Sequence, residues 1–385
     1  MPNPASVEID DSIIPERIAT DVTIHAGCRL RGATTSIGPG SILGAEAPLT
    51  LEDSQLGARV ELKGGFVSGS VFLDGANIGS GAHVRGGTLL EEEANGAHTV
   101  GLKQTILLPY VTLGSLINFC DILMAGGMSR KSHSEVGSSF IHFNYTPHQD
   151  KATPSLIGDV PRGVFLDRAP IFLGGQGGLV GPIRLGFGCV TPAGTVVRRD
   201  APDDGQLVRA PGLTPGARAY NANVYFGTQR VWTNNLLYIG NLRALREWYR
   251  HMRGLFMTGV YALFCLEGAV RLLDGALKER IKRLDEWVAK LNPSAELLIA
   301  EREPKSVAEG ETQQRIVARW ARAKDAVSNP DLGDSARTLF LDEFETCGAA
   351  HDYLALLPTL PAPVKAAGTQ WLQGIVDATA RAGEI

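Results

Sequence analysis

The chain has 385 residues, 44% of them hydrophobic and 20% charged, with a formal net charge of −4. It is long enough for two domains and a large core, and nothing in its charge favours nucleic acid or an anionic membrane. Its five cysteines, Cys28, Cys120, Cys189, Cys265 and Cys347, form no CxxC motif and are odd in number. That fits a reducing compartment, where cysteines serve as small buried apolar residues. No apolar signal run opens the chain. The longest uncharged apolar stretch, Gly254 to Leu266, falls well short of the roughly 20 residues a membrane span needs. A cytoplasmic protein without a membrane anchor is expected.

Most of the 45 glycines precede residue 230, where they recur beside aliphatic residues at a spacing near six. Ile18, Ile24 and Leu30 are six apart, and Leu56-Gly57 with Leu62, and Ile78-Gly79 with Val84 and Leu90, repeat the step. Val136-Gly137, Leu173-Gly174, Leu179, Leu185-Gly186 and Thr191 continue it. A helix needs a period of 3.6 and an amphipathic strand a period of two. A period of six predicts a left-handed parallel β-helix, a triangular coil with one hexapeptide per side and the aliphatics stacked inside. The glycine after each aliphatic is expected to take a corner conformation that a Cβ would hinder. Interruptions at roughly 90–99 and 145–170 predict loops thrown out from the corners.

Beyond about residue 232 the spacing changes to three and four. Leu242, Leu245, Tyr249, Met252, Phe256, Val260 and Leu263, then Leu273, Leu277, Ile281, Leu284, Val288 and Leu291, predict a long amphipathic helix or hairpin with break points at Gly254 and Gly259. Further helices are expected at 311–328, 334–357 and 362–382. The division is therefore a β-helix over 1–232 and a helical accessory or oligomerisation domain over 233–385.

Polar residues concentrate between 130 and 151. His133, His142 and His148 stand among Arg130, Lys131, Ser134, Glu135, Asn144, Asp150 and Lys151. A β-helix core has little use for such density, because each buried polar group needs a partner. The histidine spacings match no familiar zinc motif, and no metal is expected.

The run Val136-Gly137-Ser138-Ser139-Phe140-Ile141-His142-Phe143-Asn144-Tyr145, followed by Leu156-Ile157-Gly158-Asp159, resembles the C-terminal domain of the bifunctional glucosamine-1-phosphate acetyltransferase/N-acetylglucosamine-1-phosphate uridyltransferase. The likeness resumes at Phe172-Leu173-Gly174-Gly175, Leu179-Val180-Gly181-Pro182 and Pro192 to Asp200. It implies an acetyl-CoA site between the subunits of a trimer. Asn144 and Tyr145 match the pair that contacts acetyl-CoA in that family. Ser138, Gly175 and Ala193 match backbone positions of the same groove, and Arg209 matches, across a one-residue gap, an arginine near the CoA phosphates. Glu135 falls where the family has a substrate-binding asparagine. Asp121 falls where the family has its catalytic histidine, and the basic residues that hold the sugar phosphate have no clear counterpart. The uridyltransferase domain, with its glycine-rich nucleotide loop, is not expected here.

Acyl transfer from a thioester to an amine needs a proton acceptor, a donor for the thioester oxygen and a groove that holds both reactants. His133, His142 and His148 are the candidate bases. His133 leads because Lys131, Ser134 and Glu135 flank it. Lys131, Glu135, Lys151 and Asp121 are the candidate acceptor-binding groups. The expected function is an acetyl-CoA-dependent N-acyltransferase of amino sugars, sugar phosphates or nucleotide sugars, working as a homotrimer. The rival is a non-catalytic β-helix scaffold with a partner-binding helical region.

Overall fold

The computed structural model describes every residue except 211, 214, 218, 348–351 and 385. Its first part is the parallel β-helix that the hexads predict, and its second part is helical. The coil has three sides. Side one is a nine-stranded parallel sheet from Thr23–Ile24 to Val190–Thr191. Sides two and three merge into one 16-stranded sheet, because the strands Gly101–Leu107 and Asn118–Met124 run across the corner between them. Side two carries Ile141–Phe143, Gly178–Val180 and Val196–Val197, and side three carries Ser70–Phe72, Thr88–Leu90, Ser155–Ile157 and Arg184–Leu185.

The hexad aliphatics stack inside as read. Leu30, Leu56, Leu62, Ile78, Val84, Leu90, Val136, Leu173 and Leu179 are all 1% exposed or less. Gly44 and Gly158, after Leu43 and Ile157, take the expected left-handed corner with φ of 77° and 73°, but most of the glycines after the stacked aliphatics act differently. Gly137 and Gly174 are absent from the left-handed backbone positions. A Cβ on Gly174 would instead stand 2.4 Å from the amide nitrogen of Ala193 on the next coil, so close stacking excludes the side chain. Several left-handed corners fall to other residues, such as Tyr110 and Asp121. The interruption expected at 90–99 is not there either. Asn95–Gly96 pairs in register with Asn77–Ile78 and with Thr112–Leu113, and Glu91 and Glu92 are polar because helices meet them.

Those helices follow one short helix in the β-helix itself, α1 (Val160–Gly163). The second part comprises α2 (Thr228–His251), α3 (Val260–Val288), α4 (Leu291–Ala300), α5 (Pro304–Ser328), α6 (Asp334–Glu345), α7 (Tyr353–Leu356) and α8 (Ala362–Ala382). The long apolar pattern breaks into α2 and α3 across Gly254 and Gly259, as read. Val260 and Leu263, counted on its seam, are exposed, because the break resets which face of the helix is covered.

Helices α2 and α3 cover side three. The strands there are buried throughout rather than alternately, which is the pattern of a sheet covered on both faces. Contact is close: a Cβ on Gly268 of α3 would meet Gln55 Oε1 at 2.2 Å. Where α2 and its following turn cross the corner after Leu90, Tyr249 donates a 2.7 Å hydrogen bond to Glu91 and the buried Arg253 pairs with Glu92.

Candidate active site

Three excursions leave the coil in its later turns. The hairpin Gly127–Ser129 with Ser132–His133, and the segment carrying α1, leave the corner between sides three and one. The loop between Phe143 and Ser155 leaves the corner between sides two and three. The longest coils begin here, since Val136 stacks on Leu113 and Leu173 on Val136.

The three histidines, close in sequence, are far apart in role and place. His133 sits half-buried on the hairpin. Its Nδ1 lies 3.0 Å from the Arg130 carbonyl, an acceptor that fixes the proton on Nδ1 when the ring is neutral. Nε2 then carries the lone pair, 3.9 Å from Glu135. His142 points into the coil and is 2% exposed. Its Nδ1 faces the Cys120 carbonyl and its Nε2 lies 2.7 Å from Ser155 Oγ. Ser155 in turn accepts from the Ile183 amide, so its hydroxyl proton is available to His142. Burial is the largest cause that pulls the His142 pKa below its usual value. A neutral ring with both nitrogens satisfied is a structural plug. His148 lies on the other loop, where Nε2 donates to the Val224 carbonyl at 3.0 Å and the ring stacks on Tyr225 at 4.0 Å. His133 and Asn144 therefore stand at different corners of one prism, a full side apart. Among the described residues, no three His, Cys, Asp or Glu gather as metal ligands.

The corner between sides two and three holds a buried polar network. Asp121, 2% exposed, turns the corner with φ of 61°. Its Oδ2 accepts from Asn144 Nδ2 at 3.0 Å, and its Oδ1 pairs with Arg280 of α3 at 2.8 Å. Arg280 also donates to the Lys151 carbonyl at 3.2 Å. Beside them, burial first and the Asp121 charge second push the Cys120 thiol up to about 11, which makes it a poor nucleophile. Tyr238 of α2 is raised by burial.

The loop is held by helices elsewhere too. Lys290 donates to the carbonyls of His148 (2.8 Å) and Gln149 (3.4 Å), and Asn235 to that of Ala152 (3.0 Å). Lys151 is half-buried, and Lys131 and Glu135 are exposed.

At the opposite edge of side two, Ser138, Gly175 and Ala193 each stand two residues past the stacked Val136, Leu173 and Thr191. They form an open ladder in which a Cβ on Gly175 would lie 2.9 Å from the Ser138 carbonyl. Tyr145 projects into solvent, 63% exposed, and Arg209 is exposed beyond the last paired strand.

Arg280, Lys290 and Asn235 escaped the sequence reading, which placed no function beyond residue 232. One signal was present. Arg280 falls on the buried face of α3 between Leu277 and Leu284, and a charge on an apolar seam demands a buried partner.

No protein-family model matches the chain. Among curated proteins it is 29% identical to the bifunctional protein GlmU of Nostoc sp. over 211 residues, which are 54% of this chain and 40% of that protein. It is 30% identical to GlmU of Cyanothece sp. over 202 residues (52% and 39%) and 30% identical to that of Kineococcus radiotolerans over 200 residues (52% and 36%). The chain resembles GlmU. It spans about two-fifths of the length of these relatives. Two solved structures overlap it weakly. The acetyltransferase domain of PglB from Neisseria gonorrhoeae is 15% identical, with a TM-score of 0.13, covering 50% of this chain and 53% of its own. LpxA from Acinetobacter baumannii is 13% identical, with a TM-score of 0.18, covering 68% and 97%. At those scores they add nothing to what the coils display. Among the described residues, no helix is long and apolar enough to cross a membrane.

Proposed function

We propose that the chain is an acyl-CoA-dependent N-acyltransferase that moves an acetyl group from acetyl-CoA to an amino sugar, amino-sugar phosphate or nucleotide sugar. One observation carries the reading. The positions matched to the acetyl-CoA site of GlmU's family flank a single side of the coil, with Asn144 and Tyr145 at one edge and the Ser138, Gly175 and Ala193 ladder at the other. Side two between them is open to solvent.

The chemistry assigned to the chain's own groups is simple. A neutral His133, its Nδ1 proton held by the Arg130 carbonyl, takes the proton from the attacking amine on Nε2. Glu135, beside it, and Lys131 orient the acceptor, and Lys151 with Arg209 holds phosphate groups. Backbone amides of the ladder steady the thioester oxygen as it gains charge.

Because His133 and Asn144 lie at different corners, one groove needs two copies, and we assign a homotrimer. Side three is already covered by α2 and α3, while sides one and two expose Phe172, Val190 and Leu207, and Ile141 and Phe143. Those apolar residues favour contact between copies. In this reading residues 1–232 carry the chemistry in the cytoplasm and 233–385 serve as the accessory helical unit.

The test is thiol release from acetyl-CoA against a panel of amino sugars, their phosphates and their nucleotide derivatives, with mass measured by light scattering. Release with one acceptor class by a trimer supports the proposal. The rival reading, a scaffold without chemistry, draws on the Asp121 carboxylate, whose oxygens already serve Arg280 and Asn144 where the family has its base. No release with any acceptor, from a monomer, would establish it.

A further inference from the structure

Helix α3 reaches the corner where the proposed acetyl-CoA anchor stands, and what it does there follows from donor and acceptor chemistry. An ionised carboxylate only accepts hydrogen bonds, and an amide has one end of each kind. Asp121 Oδ2 is 3.0 Å from the Asn144 side-chain nitrogen, so the carboxylate dictates that the NH2 end faces inward. The Asn144 side-chain oxygen, Oδ1, is left for a ligand. Asp121 holds this pose because its other oxygen is paired with Arg280, both groups being 2% exposed. A buried carboxylate without that cation would be left uncompensated, move, and stop orienting the amide. Arg280 also fixes the Lys151 carbonyl of the loop that begins at Asn144, and the Asn144 main-chain carbonyl accepts from the Thr153 hydroxyl at 2.8 Å within that loop.

Building on the acyltransferase reading, we propose that Arg280 and Asp121 are positioning residues of the acyl-CoA site, which set Asn144 as a hydrogen-bond acceptor toward an amide N–H of the pantetheine arm. The family's base position has thereby become a structural acid, and the helical region completes the site instead of merely accompanying it.

The test is calorimetric titration of the full-length protein with acetyl-CoA, which requires no knowledge of the acceptor. Asp121→Asn keeps volume and suits the left-handed backbone, where asparagine is tolerated. Its new NH2 opposes that of Asn144 and turns the Asn144 amide over. Acetyl-CoA affinity of the folded protein should fall about five- to tenfold, the worth of one well-placed hydrogen bond, and the melting temperature should fall as well, because Arg280 is left buried without its counter-charge. Arg280→Met should loosen affinity similarly and speed amide hydrogen exchange across 144–154. If Arg280→Met fails to fold, Asp121→Asn alone carries the test. Wild-type affinity in Asp121→Asn would overturn the positioning role and leave the acyltransferase reading standing. A wild-type protein that binds no acetyl-CoA at millimolar concentration would overturn both.

Discussion

Glu91 is a carboxyl sealed beneath α2 and should make the molecule less stable as pH rises. It is 2% exposed. Burial, the largest cause, and its neighbour Glu92 raise its pKa from 4.5 to about 7, against the opposing pull of Arg253 and the hydrogen bond from Tyr249. Tyr249 and Tyr353, the other titratable groups facing it from the helices, are raised by burial and stay neutral.

An acid whose folded pKa lies above its unfolded one contributes its full share below about pH 4.5. That share is lost as pH climbs to about 7 and stays lost above. The gap is worth about 3 kcal/mol, at roughly 1.4 kcal/mol per pH unit. Glu91→Gln keeps an oxygen to accept from Tyr249 and cannot ionise. It should therefore gain about 3 kcal/mol at pH 8.5 and under about 0.5 kcal/mol at pH 4.5. With about 2.1 cal/mol/K of unfolding entropy per residue, 385 residues convert 3 kcal/mol to ~4 °C. Paired thermal melts of the two proteins at both pH values read this directly, because other titrating groups cancel in the difference. A variant less stable than wild type at pH 8.5, or a difference that does not change with pH, would show that Glu91 is ionised and held by Arg253.

Three other substitutions probe the site and the coil. His133→Ala should lower turnover by about 10²–10⁴-fold, the usual worth of a general base, with acetyl-CoA affinity unchanged by titration; full activity would remove His133 from the mechanism. His142→Ala should lose about 2–4 kcal/mol of stability through a cavity and a stranded Ser155 hydroxyl, seen in urea unfolding, while turnover per folded molecule persists. Gly174→Ala should cost about 1–3 kcal/mol by overpacking against the next coil, and an unchanged urea midpoint would mean that the coil spacing yields.

The fold was legible because a six-residue period has few structural interpretations, and Leu56, Ile78, Leu173 and their kin report it by burial. The helical part was legible in its periodicity but less so in its ends. A pattern counted through Gly254–Gly259 assigned Val260 and Leu263 to a covered face that the break had ended. The site was legible only in part. Matched positions such as Asn144 and Ser138 can be read along the chain, since their spacing is set by the coil. Contacts across the chain cannot: Arg280 meets Asp121, and Tyr249 meets Glu91, through packing between distant segments. Three histidines in one short stretch suggested a cluster, yet each hexapeptide side turns the chain by a corner, and a few residues suffice to put His133 and His148 on different edges.

The way α3 lies along side three makes it a ruler. Its Gly268 sits over Gln55 and its Arg280 reaches Asp121, an interval of about 18 Å at 1.5 Å per helical residue. Beneath it, the stack from Gln55 through Val71, Leu89 and Ile106 to Leu123, the coil of Asp121, takes four steps, about 19 Å at roughly 4.8 Å each. The two lengths agree, so the number of coils beneath the helix is fixed by the helix. Adding or removing one coil there would carry Asp121 past its arginine by a whole strand spacing. A compensating change of three helical residues would restore the distance but swing Arg280 about 60° off its line, since 3.6 residues make a turn. A repeat array that could otherwise vary in length is thus held to one count over this stretch, and the stacking of Arg17 on Phe264 of α3 at 3.8 Å carries the helix's grip onto coils before Gln55.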